Sequence, residues 1–295
     1  MKRLFFVIIL CLFQLIAIYA QVVSSGRSSI IVNNKPKPED NMSDPNKNNL
    51  QFLAGQELRI GPGKFYALII GISNYDDPLI TQLDRPIQDA ELFYNTLISK
   101  YTFEKENVKL LSNAKMSEIV DALDYFTKKV LPVDNFLIFY AGHGIWDASS
   151  EIGFWLASDA RKNSKLAWFR NSTLRDYFRE IKSKHTLLIS DACFGGSIFK
   201  SRVAFMDSPL ALGKLYDLSS RKAMTSGTLT EVPDQSAFLK YMIERLEEND
   251  QKYLSSEQLF SSFRIAVINN SNAIPQFGEI RDVGDEGGDF IFILR

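Results

Sequence analysis

The chain predicts an α/β domain, a three-layer sandwich with a mainly parallel central sheet flanked by helices. Three observations carry that expectation. Continuous apolar runs of strand length occur at Phe65–Ile72, Asn135–Ala141 and Thr186–Asp191, and an uninterrupted run is what a strand covered on both faces requires. Between them lie segments whose apolar residues recur at helical spacing. The two kinds alternate, and such alternation, joined by right-handed crossovers, builds a parallel sheet with helices on both sides.

The elements follow in order. Phe65–Ile72 is the first central strand, and Ile87–Tyr101 a helix with Ile87, Ala90, Leu92, Phe93 and Leu97 at helical spacing. Val108–Leu111 is a short strand. Ser117–Val130 is an amphipathic helix with Ile119, Leu123, Phe126 and Val130 on one face. Asn135–Ala141 is the next strand, Glu151–Ala157 a hairpin arm and Ser172–Ile181 a third helix. Thr186–Asp191 is the fourth main strand and Lys222–Thr225 a fifth. Helices fit Gln235–Glu248 and Ser256–Val267, and Asp289–Leu294 closes the domain as a strand. No internal repeat is visible.

Three regions precede or form this domain. Residues 1–20 carry Lys2 and Arg3 before an apolar run that ends at Ala20, the layout of a secretory signal peptide. The expected destination is therefore export, periplasmic or secreted. Ile18 is unusual at the minus-three position, so an uncleaved N-terminal anchor stays open as the only membrane association. Cys11 lies inside the apolar run with no lipobox and is not read as a lipidation site. Residues 21–64 form a linker; Asn33–Asn49 is rich in Asn, Lys, Pro and Asp and has no apolar periodicity, which predicts a disordered segment. Residues 65–295, roughly 230 residues, suffice for one α/β domain with a substantial core.

The chain has 34 basic and 35 acidic residues, and the leader contributes two bases and no acid. No basic face is implied, so a nucleic-acid partner is not expected. Only two cysteines and two histidines occur. Removing the leader leaves Cys193 alone, which excludes an internal disulfide framework.

Cys193 stands in Asp191-Ala-Cys-Phe-Gly-Gly196 and His143 in Tyr140-Ala-Gly-His-Gly144, each just past an apolar strand. An open α/β sheet places reacting groups in the crevice beyond its strands' carboxyl ends. A thiol needs a base or cation nearby to act as a nucleophile at neutral pH, and an imidazole provides one. Taken singly, the cysteine reads equally well as a small buried hydrophobe and the histidine as a turn residue between glycines. Taken together, each after a strand and near glycine, they form a candidate catalytic pair. His185 opens a strand after the basic stretch Lys182–Lys184 and reads as a strand-opening or surface residue. The backbone N–H groups of Gly144 and Cys193 are a candidate donor pair for an oxyanion. Asp191 is a strand-terminating turn residue, an acid paired with the imidazolium that partners the thiol, or an acid facing a basic substrate side chain. Asp89 falls at the start of a helix, where acids are favoured anyway.

Phe65-Tyr-Ala-Leu-Ile-Ile-Gly-Ile-Ser-Asn-Tyr75, Tyr140-Ala-Gly-His-Gly144 and Asp191-Ala-Cys-Phe-Gly-Gly196 together resemble the bacterial caspase-like peptidases, on the metacaspase side of the caspase superfamily. The match covers about Phe65 to Phe199 and is looser beyond, where Gly287-Gly-Asp-Phe-Ile-Phe292 looks like the last core strand. The resemblance implies a caspase-like three-layer sandwich, Cys193 as nucleophile, His143 as its base and Gly144 with Cys193 as oxyanion donors. It implies cleavage after Arg or Lys through an acidic pocket whose acids match Asp191 and Asp89, with protein or peptide substrates. Departures are Ala141, where many metacaspases carry Ser, and Phe194-Gly195-Gly196, where His-Ser-Gly is common. No cofactor is expected. Calcium activation is common among metacaspases and stays open, but Asp282, Asp285, Glu286 and Asp289 lack the ordered spacing of a calcium loop and read as a solvated turn.

The expected activity is that of an exported cysteine-type endopeptidase, with a catalytically silent caspase-like interaction module as the alternative. A nucleotide-binding domain is disfavoured, since no Gly-x-Gly-x-x-Gly follows the first strand. The stretch Phe199–Lys222 reads as a long loop beside the nucleophile. Its bases Lys200, Arg202, Lys214, Arg221 and Lys222, with Lys35, Lys37 and Lys47 of the linker, are the expected self-processing sites.

Overall fold

The three continuous apolar runs become the middle of one sheet, buried along their whole length. A computed structural model describes residues 61, 63–192, 198–199, 209–227 and 236–295, all within the compact unit Gln56–Arg295. The expected leader, nearly all of the expected linker, and Cys193 lie outside the described residues. Among the described residues, no helix is long and apolar enough to cross a membrane.

The six-stranded sheet has the order β10-β8-β7-β3-β1-β2: β10 is Gln276–Glu279, β8 Ser220–Thr225, β7 His185–Asp191, β3 Asn135–Ala141, β1 Phe65–Gly71 and β2 Phe103–Ser112. Five strands run parallel, and β10 is antiparallel to β8. β1, β3 and β7 are buried at every residue. Successive side chains point to opposite faces: Tyr66, Leu68 and Ile70 of β1 enter one core, while Phe65, Ala67 and Ile69 enter the other.

Helices close both cores. On the first face lie α2 (Met116–Lys129), through Ile119, Ala122, Leu123 and Phe126, and α3 (Asn171–Glu180), through Leu174 and Phe178. On the second lie α1 (Pro86–Lys100), α5 (Ala237–Glu248) and α6 (Ser256–Asn270). α1 starts with Pro86, whose missing N–H is no loss at a first helical position. α6 starts with a reciprocal capping box between Ser255 and Gln258. Truncating a buried residue such as Phe93 or Phe126 to Ala costs about 3–5 kcal/mol.

Three expectations need correction. The closing strand β11 (Ile291–Ile293) pairs with β9 (Tyr253–Ser255) in a separate two-stranded sheet, so it is not a strand of the main sheet. The edge position is taken instead by β10. The stretch read as a loop contains helix α4 (Pro209–Asp217), and β8 begins at Ser220. Arg221 and Lys222 are buried there, Lys222 in an ion pair with Asp285 at 3.1 Å, so neither is an accessible processing site. The acidic cluster is a solvated turn only in part: Asp282 and Glu286 are exposed as expected, but Asp285 also accepts the Arg221 N–H, and Asp289 is buried against Ser256 at the start of α6.

Candidate active site

The sheet's strand order reverses direction between β1 and β3. The chain leaving β1 crosses to β2 on one side, and the chain leaving β3 crosses toward β7 on the other. Such a reversal opens a crevice at the carboxyl ends of the strands. Gly71, Ala141 and Asp191 stand in one register across β1, β3 and β7. His143 therefore follows Ala141, the last residue of β3, by two positions, and in the sequence Cys193 follows Asp191, the last residue of the adjacent strand β7, by two.

His143 is held from three directions. Its backbone N–H donates to the Tyr75 hydroxyl at 2.8 Å. Its carbonyl accepts from the Tyr140 hydroxyl at 2.6 Å, with the Leu156 N–H a second donor at 3.0 Å. The Tyr75 and His143 rings are in contact, their centroids 5.1 Å apart. Burial pushes the Tyr75 phenol well above its ordinary range, so it stays a neutral hydroxyl. The third tether is the imidazole itself, whose Nε2 lies 2.8 Å from the Thr81 carbonyl oxygen. A carbonyl can only accept, so Nε2 carries the proton and, in the neutral ring, Nδ1 keeps the basic lone pair.

Gly142 explains why this turn needs a glycine. A Cβ there would fall 2.8 Å from the Tyr140 hydroxyl oxygen and 3.1 Å from that of Tyr75, at a φ of +156°. Those are the two hydroxyls that hold the His143 backbone. Gly144 opens β4 (Gly144–Asp147), which pairs with β5 (Ile152–Leu156), itself paired with β6 (Trp168–Arg170), in a three-stranded antiparallel sheet with β4 at one edge. The His143 carbonyl faces β5, where it meets the Leu156 N–H. Backbone groups of successive residues point to opposite sides, so the Gly144 N–H faces away from that ladder.

The two candidate acids lie together. Asp191, the last residue of β7, is 5% exposed. Burial pushes its carboxyl up to about 6; the hydroxyls of Ser236 and Ser226 oppose this, and the nearby Asp89 carboxylate adds to it. Among the described residues its Oδ1 has no hydrogen-bond partner, nor has the buried Ser226 Oγ, so Ser226 acts as a nearby dipole rather than as a formed hydrogen bond. Ser236 is also the N-cap of α5, its Oγ accepting from the Leu239 N–H at 3.2 Å. Asp89, in the first turn of α1, is largely buried and pairs with Arg85 one turn earlier. Asp89 and Ser236 line one groove of about 630 Å³ between α1 and α5.

His185 is elsewhere. It is fully buried at the opposite end of β7, between Ser220 Oγ and the Tyr216 carbonyl. Burial drives its pKa down to about 3, so it opens a strand as expected but is not a surface residue. Sequence reasoning gave no role to Tyr75 or Tyr140, although both stand in the quoted motifs. It could not find the Thr81 carbonyl, because a backbone acceptor leaves no mark on residue identity. Among the described residues, no group of three or more His, Cys, Asp or Glu side chains could hold a metal ion.

Comparison with known proteins agrees with this architecture. Residues 64–279 match the family model of the caspase domain, Peptidase_C14. No curated protein matches the chain. Among solved structures, protein GSU0716 from Geobacter sulfurreducens is similar in fold, with a TM-score of 0.53 and 18% identity, over 77% of this chain and 99% of that one. The family match begins one residue before β1 and runs to the end of β10, taking in every strand of the main sheet and all of its carboxyl-end loops; the chain belongs to the caspase-domain family of cysteine peptidases.

Proposed function

We propose that this chain is an exported, metacaspase-type cysteine endopeptidase that cleaves after Arg or Lys with His143 and Cys193 as its dyad. The observation that carries the reading is the Nε2–H···O=C bond from His143 to Thr81. It fixes the tautomer and leaves Nδ1 as the basic nitrogen, two positions past the strand neighbouring the one that leads to Cys193. In the proposed reaction Nδ1 takes the thiol proton of Cys193, and the thiolate attacks the peptide carbonyl carbon. The N–H groups of Gly144 and Cys193 stabilise the oxyanion. The C–N bond then breaks as His143 returns its proton to the leaving amine. Water, deprotonated by the same nitrogen, hydrolyses the acyl-enzyme and restores the thiol. The paired Asp89 and Asp191 carboxylates support a cationic first-subsite residue, and residues 1–20 support export.

The test is a peptide-library cleavage profile of residues 21–295, with and without calcium, with Cys193→Ala and His143→Ala as controls. Cleavage after Arg or Lys that disappears in both variants is expected. Hydrolysis surviving either change removes the dyad, a flat or apolar profile removes the acidic pocket, and no hydrolysis of any peptide favours the silent module.

A further inference from the structure

The first turn of α1 places a cation of this chain on one of the two candidate specificity acids. Arg85 Nη2 lies 3.4 Å from Asp89 Oδ1 in an i, i+4 ion pair. The arginine side chain is half exposed, whereas that of Asp89 is 13% exposed, so the guanidinium approaches the carboxylate from the solvent side. Both residues line the groove that also receives Ser236, the α5 cap beside Asp191. Arg85 is therefore a guanidinium set against the Asp89 carboxylate in a groove whose other charged lining is Lys240, Glu244 and Glu247.

We propose that Arg85 is a specificity-determining residue: an internal occupant of the Asp89 carboxylate that an Arg or Lys side chain of the substrate must displace. The inference rests on the acidic-pocket reading above and adds a direction to it. In that reading, carboxylates attract the substrate, and each basic residue that already pairs with them weakens the attraction. Arg85 lowers affinity for cations generally. Exposed ion pairs are weak, so the block is partial. Its removal should tighten cation binding about 1.5- to 5-fold.

The experiment uses residues 21–295 carrying Cys193→Ala, titrated calorimetrically with N-acetyl-arginine methylamide. Arg85→Gln keeps the aliphatic stem and removes the charge, Arg85→Lys keeps the charge, and Asp89→Asn removes the acid. Thermal melts establish that each variant is folded. The expected result is a Kd lowered about 1.5- to 5-fold by Arg85→Gln, little changed by Arg85→Lys and raised by Asp89→Asn. A Kd unchanged or raised by Arg85→Gln overturns the proposal, as does an amide that binds none of the proteins. Cleavage profiles of the active enzyme with Arg85 and with Gln at this position separate the two readings. If the Arg85 enzyme cleaves after residues other than Arg and Lys while Arg85→Gln still tightens the amide, the cleavage reading fails and the displacement reading stands. If it cleaves after Arg and Lys with a KM that Arg85→Gln does not lower, the reverse holds.

Discussion

Replacing Asp191 with Asn should stabilise the protein and impair its cleavage after basic residues. Asp191 ends a fully buried strand, and burial raises its carboxyl from 3.8 to about 6. A carboxyl whose folded-state pKa lies above its unfolded value favours the fold only while protonated. Its penalty is absent below about pH 4, grows as pH rises to about 6, and is complete above that. A rise from 3.8 to about 6 corresponds to about 3 kcal/mol at neutral pH. The Asn amide brings N–H groups into a site where Asp191 Oδ1 has no partner among the described residues, which takes back about 1 kcal/mol. A net gain of about 2 kcal/mol would raise Tm by about 4–8 °C for a domain of this size. The assay is urea and thermal unfolding of Asp191→Asn against its parent, both carrying Cys193→Ala, at pH 4, 5, 6 and 7. The gap should open between pH 4 and 6 and stay level above. An Asn protein no more stable at pH 7, or a gap that does not vary with pH, would refute the assignment of a buried, strained carboxyl. In the active enzyme, losing one partner of a buried charge pair costs about 2–3 kcal/mol, so kcat/KM on Arg peptides should fall about 30- to 150-fold.

Three further outcomes follow from the scaffold. Tyr75→Phe leaves the His143 N–H without its acceptor, which should lower unfolding free energy by about 1–3 kcal/mol and reduce kcat more than it raises KM. Gly142→Ala, which drives a Cβ between the two tyrosine hydroxyls, should be more severe on both counts. His185 is held neutral, with its pKa lowered from 6.5 to about 3. The stability it contributes is complete above pH 6.5 and drains away as pH falls toward 3. Denaturant titrations of His185→Gln should therefore show a shallower acid decline than the unsubstituted protein, and an identical slope would contradict the burial argument.

Much of the fold was legible because its central strands are covered on both faces. β1, β3 and β7 had to be unbroken apolar runs, and the helices that cover them had to carry apolar stripes. The edges were less legible. β10 is four residues long, Gln276–Glu279, and only half apolar, because an edge strand needs less cover. Phe290–Ile293 is apolar enough for the main sheet, yet its partner is β9; periodicity reports burial, not which strand supplies the hydrogen bonds. Asp285 and Asp289 read as solvated because their partners, Lys222 and the start of α6, are distant in sequence. In the candidate site, position just past a strand singles out His143 and Cys193 in the sequence, whereas the pocket role of Asp89 comes only through the family resemblance. The groups that orient the histidine carry no such mark. Tyr75 and Tyr140 act through hydroxyls that any core tyrosine carries, and Thr81 acts through a carbonyl that every residue has.

The central claim is that His143 Nδ1 activates the Cys193 thiol, and the most direct measurement is covalent capture of that thiol. An arginyl chloromethyl ketone alkylates an activated thiolate, forming a thioether and releasing chloride. Intact-mass and peptide-level spectrometry then count the adducts and locate them. The account predicts a single adduct on Cys193, formed rapidly by the unsubstituted protein, slowed at least about 100-fold by His143→Ala, and suppressed by excess N-acetyl-arginine methylamide. Equal labelling rates with and without His143, or an adduct only on residues other than Cys193, would contradict it.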